Sequence, residues 1–291
     1  MPLGNLTRRI IFAAVAIPLA VAIAYVGGLA FAALIAVAAV LGAREIFDFG
    51  AAQGLAPLRV LGYAAAVLVP LATVTWVGAP DRWGWPWLLY GAAVWLLACM
   101  VWAAWRGPAA RPLGSVAVTV FGVAYAAALP AFAIVLRQRL GTGARDEPVA
   151  GTMLLCFPLV LTWIGDTVAM AGGKLVGGPK LAPRLSPNKT WAGAVGGLGG
   201  TLLAAAAFSA WVFPRGNLPV PMAWALVMGF VIAVAGQMGD LAESVLKREI
   251  GVKDSSALIP GHGGVLDRFD ALYFVLPVTA VLYATFLPGV R

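Results

Sequence analysis

MAWALVMGFVIAVAGQMGDLAESVLKREIGVKDSSALIPGHGGVLDRFD, residues 222–270, sets a long apolar run against a dense ionic cluster. The apolar part, 222–243, is long enough to cross about 30 Å of hydrocarbon, which takes about 20 helical residues. Charge is scarce elsewhere, since Asp, Glu, Lys and Arg make up 11% of the chain against about 25% in an ordinary soluble domain. A concentration of acids and bases between two apolar runs therefore needs a cause other than solubility.

Working outward, the 291 residues are 62% hydrophobic with a mean hydropathy of +0.91. A chain this apolar cannot hide its surface in one soluble core. The fold expected is an all-α, polytopic integral membrane protein with about nine transmembrane helices: 10–27, 28–43, 60–79, 85–105, 115–136, 150–172, 191–213, 222–243 and 270–288. Gly27-Gly28 is the only punctuation between the first two. Residues 1–145 read as a transmembrane scaffold, and 146–291 as the catalytic part of the same membrane domain.

Basic residues collect in cytoplasmic loops. With the N-terminus inside, six of the 20 Lys and Arg residues fall on outer segments, namely Arg82, Arg137, Arg139, Arg145, Arg215 and Arg291. The other fourteen fall on inner ones, which places the N-terminus and the late charged loops in the cytoplasm. The net charge of +8 is thus a topology signal, and nucleic-acid binding is discounted. Arg8 and Arg9 before the first run resemble a secretory signal, but no cleavage site followed by a polar domain appears, so a retained anchor is expected. Cys99 and Cys156 are isolated in apolar spans and read as packing residues.

In AREIFDF, 43–49, Glu45 and Asp48 stand three apart at the inner end of a span, and the reading favoured is an interfacial helix end salted by Arg44. GAVGGLGG, 193–200, suits close helix packing in a bilayer.

Three clusters could carry chemistry. In WIGDTVAMAGGKLVG, 163–177, Asp166 interrupts an apolar span and Lys174 follows two turns later; an acid at membrane depth is costly and usually faces a partner or a watery cavity. In the second, Ser186-Pro-Asn188-Lys189-Thr190 sets hydroxyl, amide and ammonium groups just ahead of a helix, where free N–H groups attract anions. A capped helix start with snorkelling bases explains the same residues equally well.

The third cluster begins at Asp240. Asp240, Glu243, Ser244 and Lys247 form one helical stripe at i, i+3, i+4 and i+7. Arg248, Lys253, Asp254, the sole histidine His262, Gly263, Gly264, Asp267, Arg268 and Asp270 follow. Asp267 and Asp270 could merely complement a helix dipole. Yet hard carboxylate oxygens interleaved with phosphate-pairing cations are what a Mg²⁺ ion shared with substrate phosphates requires. His262, with no second His or Cys near it, reads as a phosphate donor.

Ser244-x-x-Lys247-Arg248-x4-Lys253-Asp254 followed by Pro260-Gly-His262-Gly-Gly-x-x-Asp267-Arg268-x-Asp270 resembles the signature of phosphatidate cytidylyltransferases, the bacterial CDP-diacylglycerol synthases. Asp166-x-x-Ala-x-x-x-Gly173-Lys174 and the Ser186–Thr190 segment look like that family's upstream motifs. The resemblance covers 160–275 well and the first half only by hydropathy. Met170 stands where relatives often carry an aromatic residue, and Ala192 where an acid commonly follows Thr-Trp.

The resemblance implies transfer of the cytidylyl group of CTP to phosphatidic acid, yielding CDP-diacylglycerol and pyrophosphate for phospholipid synthesis. It implies Asp240, Asp267 and Asp270 as metal ligands and Asp240, Lys247, Arg248, Lys253, Asp267 and Arg268 as catalytic groups. Asp166, Lys174, Ser186, Asn188, Lys189, Thr190, Ser244, Asp254, His262, Gly263 and Gly264 would bind substrate. The cofactor implied is Mg²⁺, with a second metal ion, K⁺ among the candidates. A multi-pass homodimer in the bacterial inner membrane, its site facing the cytoplasm, is expected. Two competing readings are a CTP-dependent polyprenol or phytol-type lipid kinase and an ion-coupled transporter. For the transporter no inverted repeat is visible.

Overall fold

The computed structural model describes residues 5–78, 85–138, 148–258 and 263–287. Helices dominate: α1 (Asn5–Val26), α2 (Gly28–Ala52), α3 (Arg59–Gly78), α4 (Trp85–Arg106), α5 (Pro112–Val123), α6 (Leu129–Gln138), α7 (Pro148–Leu175), α8 (Trp191–Ala207), α9 (Met222–Glu249), α10 (Leu266–Phe269) and α11 (Leu272–Phe286). A π-turn at Ala124–Ala128 joins α5 to α6, and another at Phe208–Val212 continues α8. Among the described residues, eight helical segments are long and apolar enough to cross a membrane, and α1 adds a shorter apolar stretch, Ala14–Val26. The chain is therefore a polytopic, all-α membrane protein. Among the described residues the only sheet is a two-stranded antiparallel hairpin, β1 (Lys180–Ala182) and β2 (Ser186–Thr190), pairing Lys180 with Thr190 and Ala182 with Ser186.

Gly27 adopts a positive φ of 69°, a left-handed conformation that glycine takes without steric cost. Gly28 follows with a φ of 56°, so the two glycines together end α1 and let α2 begin. α2 then runs to Ala52, past the expected end at residue 43, so its charged residues belong to the helix itself.

The chain resolves into two compact units. The first comprises Met1–Val135 together with Asp254–Arg268, and the second comprises Leu136–Lys253 together with Phe269–Arg291. In the first, Phe47 is fully buried, and a Cβ built on Gly62 or Gly122 would fall 2.4 or 2.5 Å from its ring. Small residues on α3 and α5 thus open the slot that the ring fills. Thr119 Oγ1 accepts from Leu58 N at 2.8 Å and Ser115 Oγ from Ala56 N at 2.9 Å, satisfying backbone groups ahead of α3.

In the second unit the expected close packing of 193–200 is present. A Cβ on Gly193 would lie 2.7 Å from Ala169 O, one on Gly197 2.9 Å from Gly165 O, and one on Gly200 2.8 Å from Val168. α7 and α8 therefore approach backbone to backbone. Phe157, Phe208, Phe213 and Tyr283 form an aromatic core, with the Phe157 ring centroid 5.1 Å from that of Phe213 and 5.4 Å from that of Phe208, and Tyr283 Oη donating to Leu154 O at 2.9 Å. These residues lie at the start of α7 and the ends of α8 and α11. The opposite ends of the same helices carry the polar groups.

Candidate active site

α9 carries the expected polar stripe and buries much of it. Glu243 is 0% exposed, Ser244 8% and Lys247 9%, while Asp240 one turn earlier is half-buried. Lys247 Nζ lies 3.0 Å from Glu243 Oε1. Two charges can be held in so apolar a setting only when each neutralises the other. α9 ends in a Schellman motif: Val252 N donates to Lys247 O, Gly251 N donates to Arg248 O, and Gly251 has φ 74°.

The hairpin meets this stripe through charge. Lys189 Nζ on β2 stands 2.6 Å from Asp240 Oδ2, and Arg248 donates to Leu185 O in the hairpin turn at 3.4 Å and to Val252 O at 2.8 Å. Thr190, buried, caps α8 by accepting from Gly193 N at 3.1 Å. Of the expected anion-binding segment, Thr190 is thus occupied as a cap, Asn188 is exposed and Ser186 half-buried. The polar stretch forms a strand rather than a loop because Ser186–Thr190 satisfies its backbone against Lys180–Ala182.

α9 passes close to the break between α10 and α11, for a Cβ on Gly239 would stand 2.7 Å from Asp270 O. This brings Asp270 toward Asp240. Asp166, Asp240 and Asp270 lie within electrostatic range of one another, with Lys189 and Lys247 near the same groups. Asp270 Oδ1 also accepts from Ala271 N at 2.7 Å. Among the described residues no three His, Cys, Asp or Glu side chains converge into a ready-made cage. Carboxylates grouped this loosely fit a hard cation that takes one or two of them and completes its shell with water and ligand oxygens. Lys174 and Lys253, exposed, end α7 and follow α9.

The remaining expected residues belong to the first unit, except His262, which lies outside the described residues. Asp267 Oδ2 accepts from Ser255 N, Ser255 Oγ and Gly264 N, each at 2.8 Å. Gly263 has φ 79°, and a Cβ on Gly264 would collide with Ser255 Oγ and Glu45. Asp254 and Arg268 are exposed.

Glu45 corrects the reading of 43–49. It is 3% exposed and does not pair with Arg44. Asp48 takes the bases instead, 3.8 Å from Arg44 and 2.6 Å from Arg59. One residue turns inward and the other outward because α2 continues through both. The available signal was Glu45 itself, an acid at the edge of an apolar run, whose partners lie 210 or more positions away.

The sequence profile described as the cytidylyltransferase family matches residues 7–286. A phosphatidate cytidylyltransferase of Brucella abortus is 34% identical over 283 residues, covering 97% of this chain and 93% of that protein. The protein of the same name from Synechocystis is 30% identical over 302 residues, covering 97% of this chain and 98% of its own length. One from Haemophilus influenzae is 40% identical over 165 residues, 55% of each chain.

Proposed function

The chain belongs to the cytidylyltransferase family, and from that premise we propose that it transfers the cytidylyl group of CTP to phosphatidic acid, forming CDP-diacylglycerol and pyrophosphate. The observation that carries this reading is the grouping of Asp166, Asp240 and Asp270 with Lys189 and Lys247 at one end of the second unit's apolar helices. Acids and ammonium groups so placed suit a polyphosphate whose partner stays in lipid.

A phosphatidate phosphate oxygen forms a new bond to the α-phosphorus of CTP while the bond from that phosphorus to the bridging oxygen of the β-phosphate breaks. The electron pair leaves with pyrophosphate. The lipid phosphate is already ionised, so no side chain need abstract a proton. The protein's share is positioning and charge neutralisation. Asp240 and Asp270, with Asp166 beside them, would hold Mg²⁺, which when bound neutralises phosphate charge. Lys189 and Lys247 would face the phosphate oxygens, Glu243 keeping the Lys247 ammonium in place. On their sequence pattern alone, Asp267 is proposed as a further metal ligand and Arg268 as a phosphate contact. The basic loops favour an orientation with this end facing the cytoplasm, where CTP is available; a bacterial inner membrane and a homodimer are proposed on the family resemblance alone.

The test is transfer of label. Purified protein given Mg²⁺, phosphatidic acid and CTP labelled at the α-phosphate should place label in the lipid product, and Asp240→Asn should abolish transfer. Label retained on the nucleotide while the γ-phosphate moves would replace this reading with a lipid kinase.

A further inference from the structure

We propose that Glu45 is a positioning residue for this transferase: its carboxylate fastens the signature segment on both sides, before residue 257 and after residue 264. Glu45 Oε1 accepts from Ser256 Oγ at 2.7 Å and from Val265 N at 2.9 Å, and Oε2 accepts from Ser255 Oγ at 2.8 Å and from Leu266 N at 2.9 Å. Both oxygens are thus used, Oε1 by a hydroxyl and a backbone N–H, and Oε2 by a backbone N–H and a hydroxyl whose single proton it shares with Asp267. Bonds to an ionised acceptor are among the strongest a protein makes, and burial strengthens them further.

The clamp is shared with the motif's own acid. Ser255 Oγ stands 2.8 Å from Glu45 Oε2 and equally 2.8 Å from Asp267 Oδ2. Gly264 is needed at the centre, because a Cβ there would lie 2.1 Å from Ser255 Oγ and 2.4 Å from Glu45 Oε1. An acid on the second helix therefore sets the conformation of the residues flanking Asp267 and Arg268. Substrate contact by Glu45 itself is not required.

This inference rests on the CTP-transfer reading for its kinetic arm. Glu45→Gln keeps the shape but replaces one oxygen with an NH₂ group. The adjacent hydroxyl can rotate to accept from it, whereas the backbone N–H beside it loses its acceptor. With the segment loosened, kcat/KM for CTP should fall about tenfold or more, with a rise in KM that loss of active protein alone would not produce. Asp48→Asn, on the exposed face of the same helix, should leave both constants unchanged. A Glu45→Gln enzyme with wild-type KM for CTP overturns the proposal.

A second measurement covers failure of that variant to fold. Hydrogen exchange at the Val265 and Leu266 amides should be slow in the wild type and about tenfold or more faster in Ser255→Ala/Ser256→Ala. Fast exchange at these amides in the wild type overturns the clamp. If the wild type makes no CDP-diacylglycerol, the transferase reading fails, and the exchange arm still decides whether the clamp exists.

Discussion

The Lys189 ammonium on the hairpin lies 2.6 Å from an Asp240 carboxylate oxygen on α9. A cation from one element therefore sits on the acid proposed to take a metal from the other, so the two positive charges compete for Asp240.

Removal of Lys189 should favour the metal. The pair is partly exposed, and such pairs contribute about 0.2–1 kcal/mol, which corresponds to at most about fivefold in affinity. Lys189→Gln should therefore lower the Mg²⁺ concentration for half-maximal activity by up to about fivefold. Turnover at saturating Mg²⁺ should fall as well, since a phosphate-facing ammonium is gone. A Mg²⁺ titration of the two enzymes checks this, and an unchanged or higher Mg²⁺ requirement would contradict it.

Asp166 and Asp270 share the field of Asp240. Neutralising either removes negative charge that attracts a divalent cation, so Asp166→Asn and Asp270→Asn should each raise the Mg²⁺ requirement, by about tenfold if the acid is a direct ligand or one hydrogen bond removed. Chelation should abolish activity in the wild type and Mg²⁺ should restore it. Isothermal titration of Mg²⁺ in the presence of CTP gives a readout independent of turnover.

These residues differ in how legible they were. The stripe of Asp240, Glu243, Ser244 and Lys247 could be read because a helix repeats every 3.6 residues and nothing else in α9 is charged before Asp240. The break at Gly27 and the glycine seam of 193–200 were equally local. Glu45 was not, because its meaning comes from donors at 255–266, and no local pattern reports a tertiary partner. The hairpin was missed since Ser-Pro-Asn-Lys-Thr lacks the apolar alternation of a strand and gains its pairing only from Lys180–Ala182. The approach of Asp270 to Asp240 depends on Gly239 meeting the α10–α11 break, again a matter of packing.

Glu243 and Lys247 form a buried pair one helical turn apart. Breaking a buried pair by removing one partner costs about 3–5 kcal/mol. Glu243→Gln should thus lower the unfolding temperature in detergent far more than a surface substitution does. Glu243→Gln/Lys247→Met should recover much of that loss while remaining inactive, because the second change removes the buried ammonium together with the cost of burying it. Thermal unfolding of the wild type, Glu243→Gln, Lys247→Met and the double variant supplies the double-mutant cycle, and additive losses would contradict the coupling.

The α7–α8 seam offers a paired comparison within one helix. A Cβ on Gly197 would meet Gly165 O and Ala169 Cβ at 2.9 Å, whereas one on Gly199 meets nothing within 4 Å. Backbone cannot yield as a flexible side chain can, so Gly197→Ala should force the helices apart and destabilise the protein by about 1–3 kcal/mol. At Gly199 the same substitution gains helix propensity and loses nothing, a stabilisation of about 0.5–1 kcal/mol in a helix interior. Moving α8 also shifts Thr190 at its cap and Lys189 beside it, so Gly197→Ala should lower turnover while Gly199→Ala retains it. Unfolding midpoints and CDP-diacylglycerol formation measured on both variants check the contrast, and equal behaviour of the two would show that the seam tolerates a methyl group.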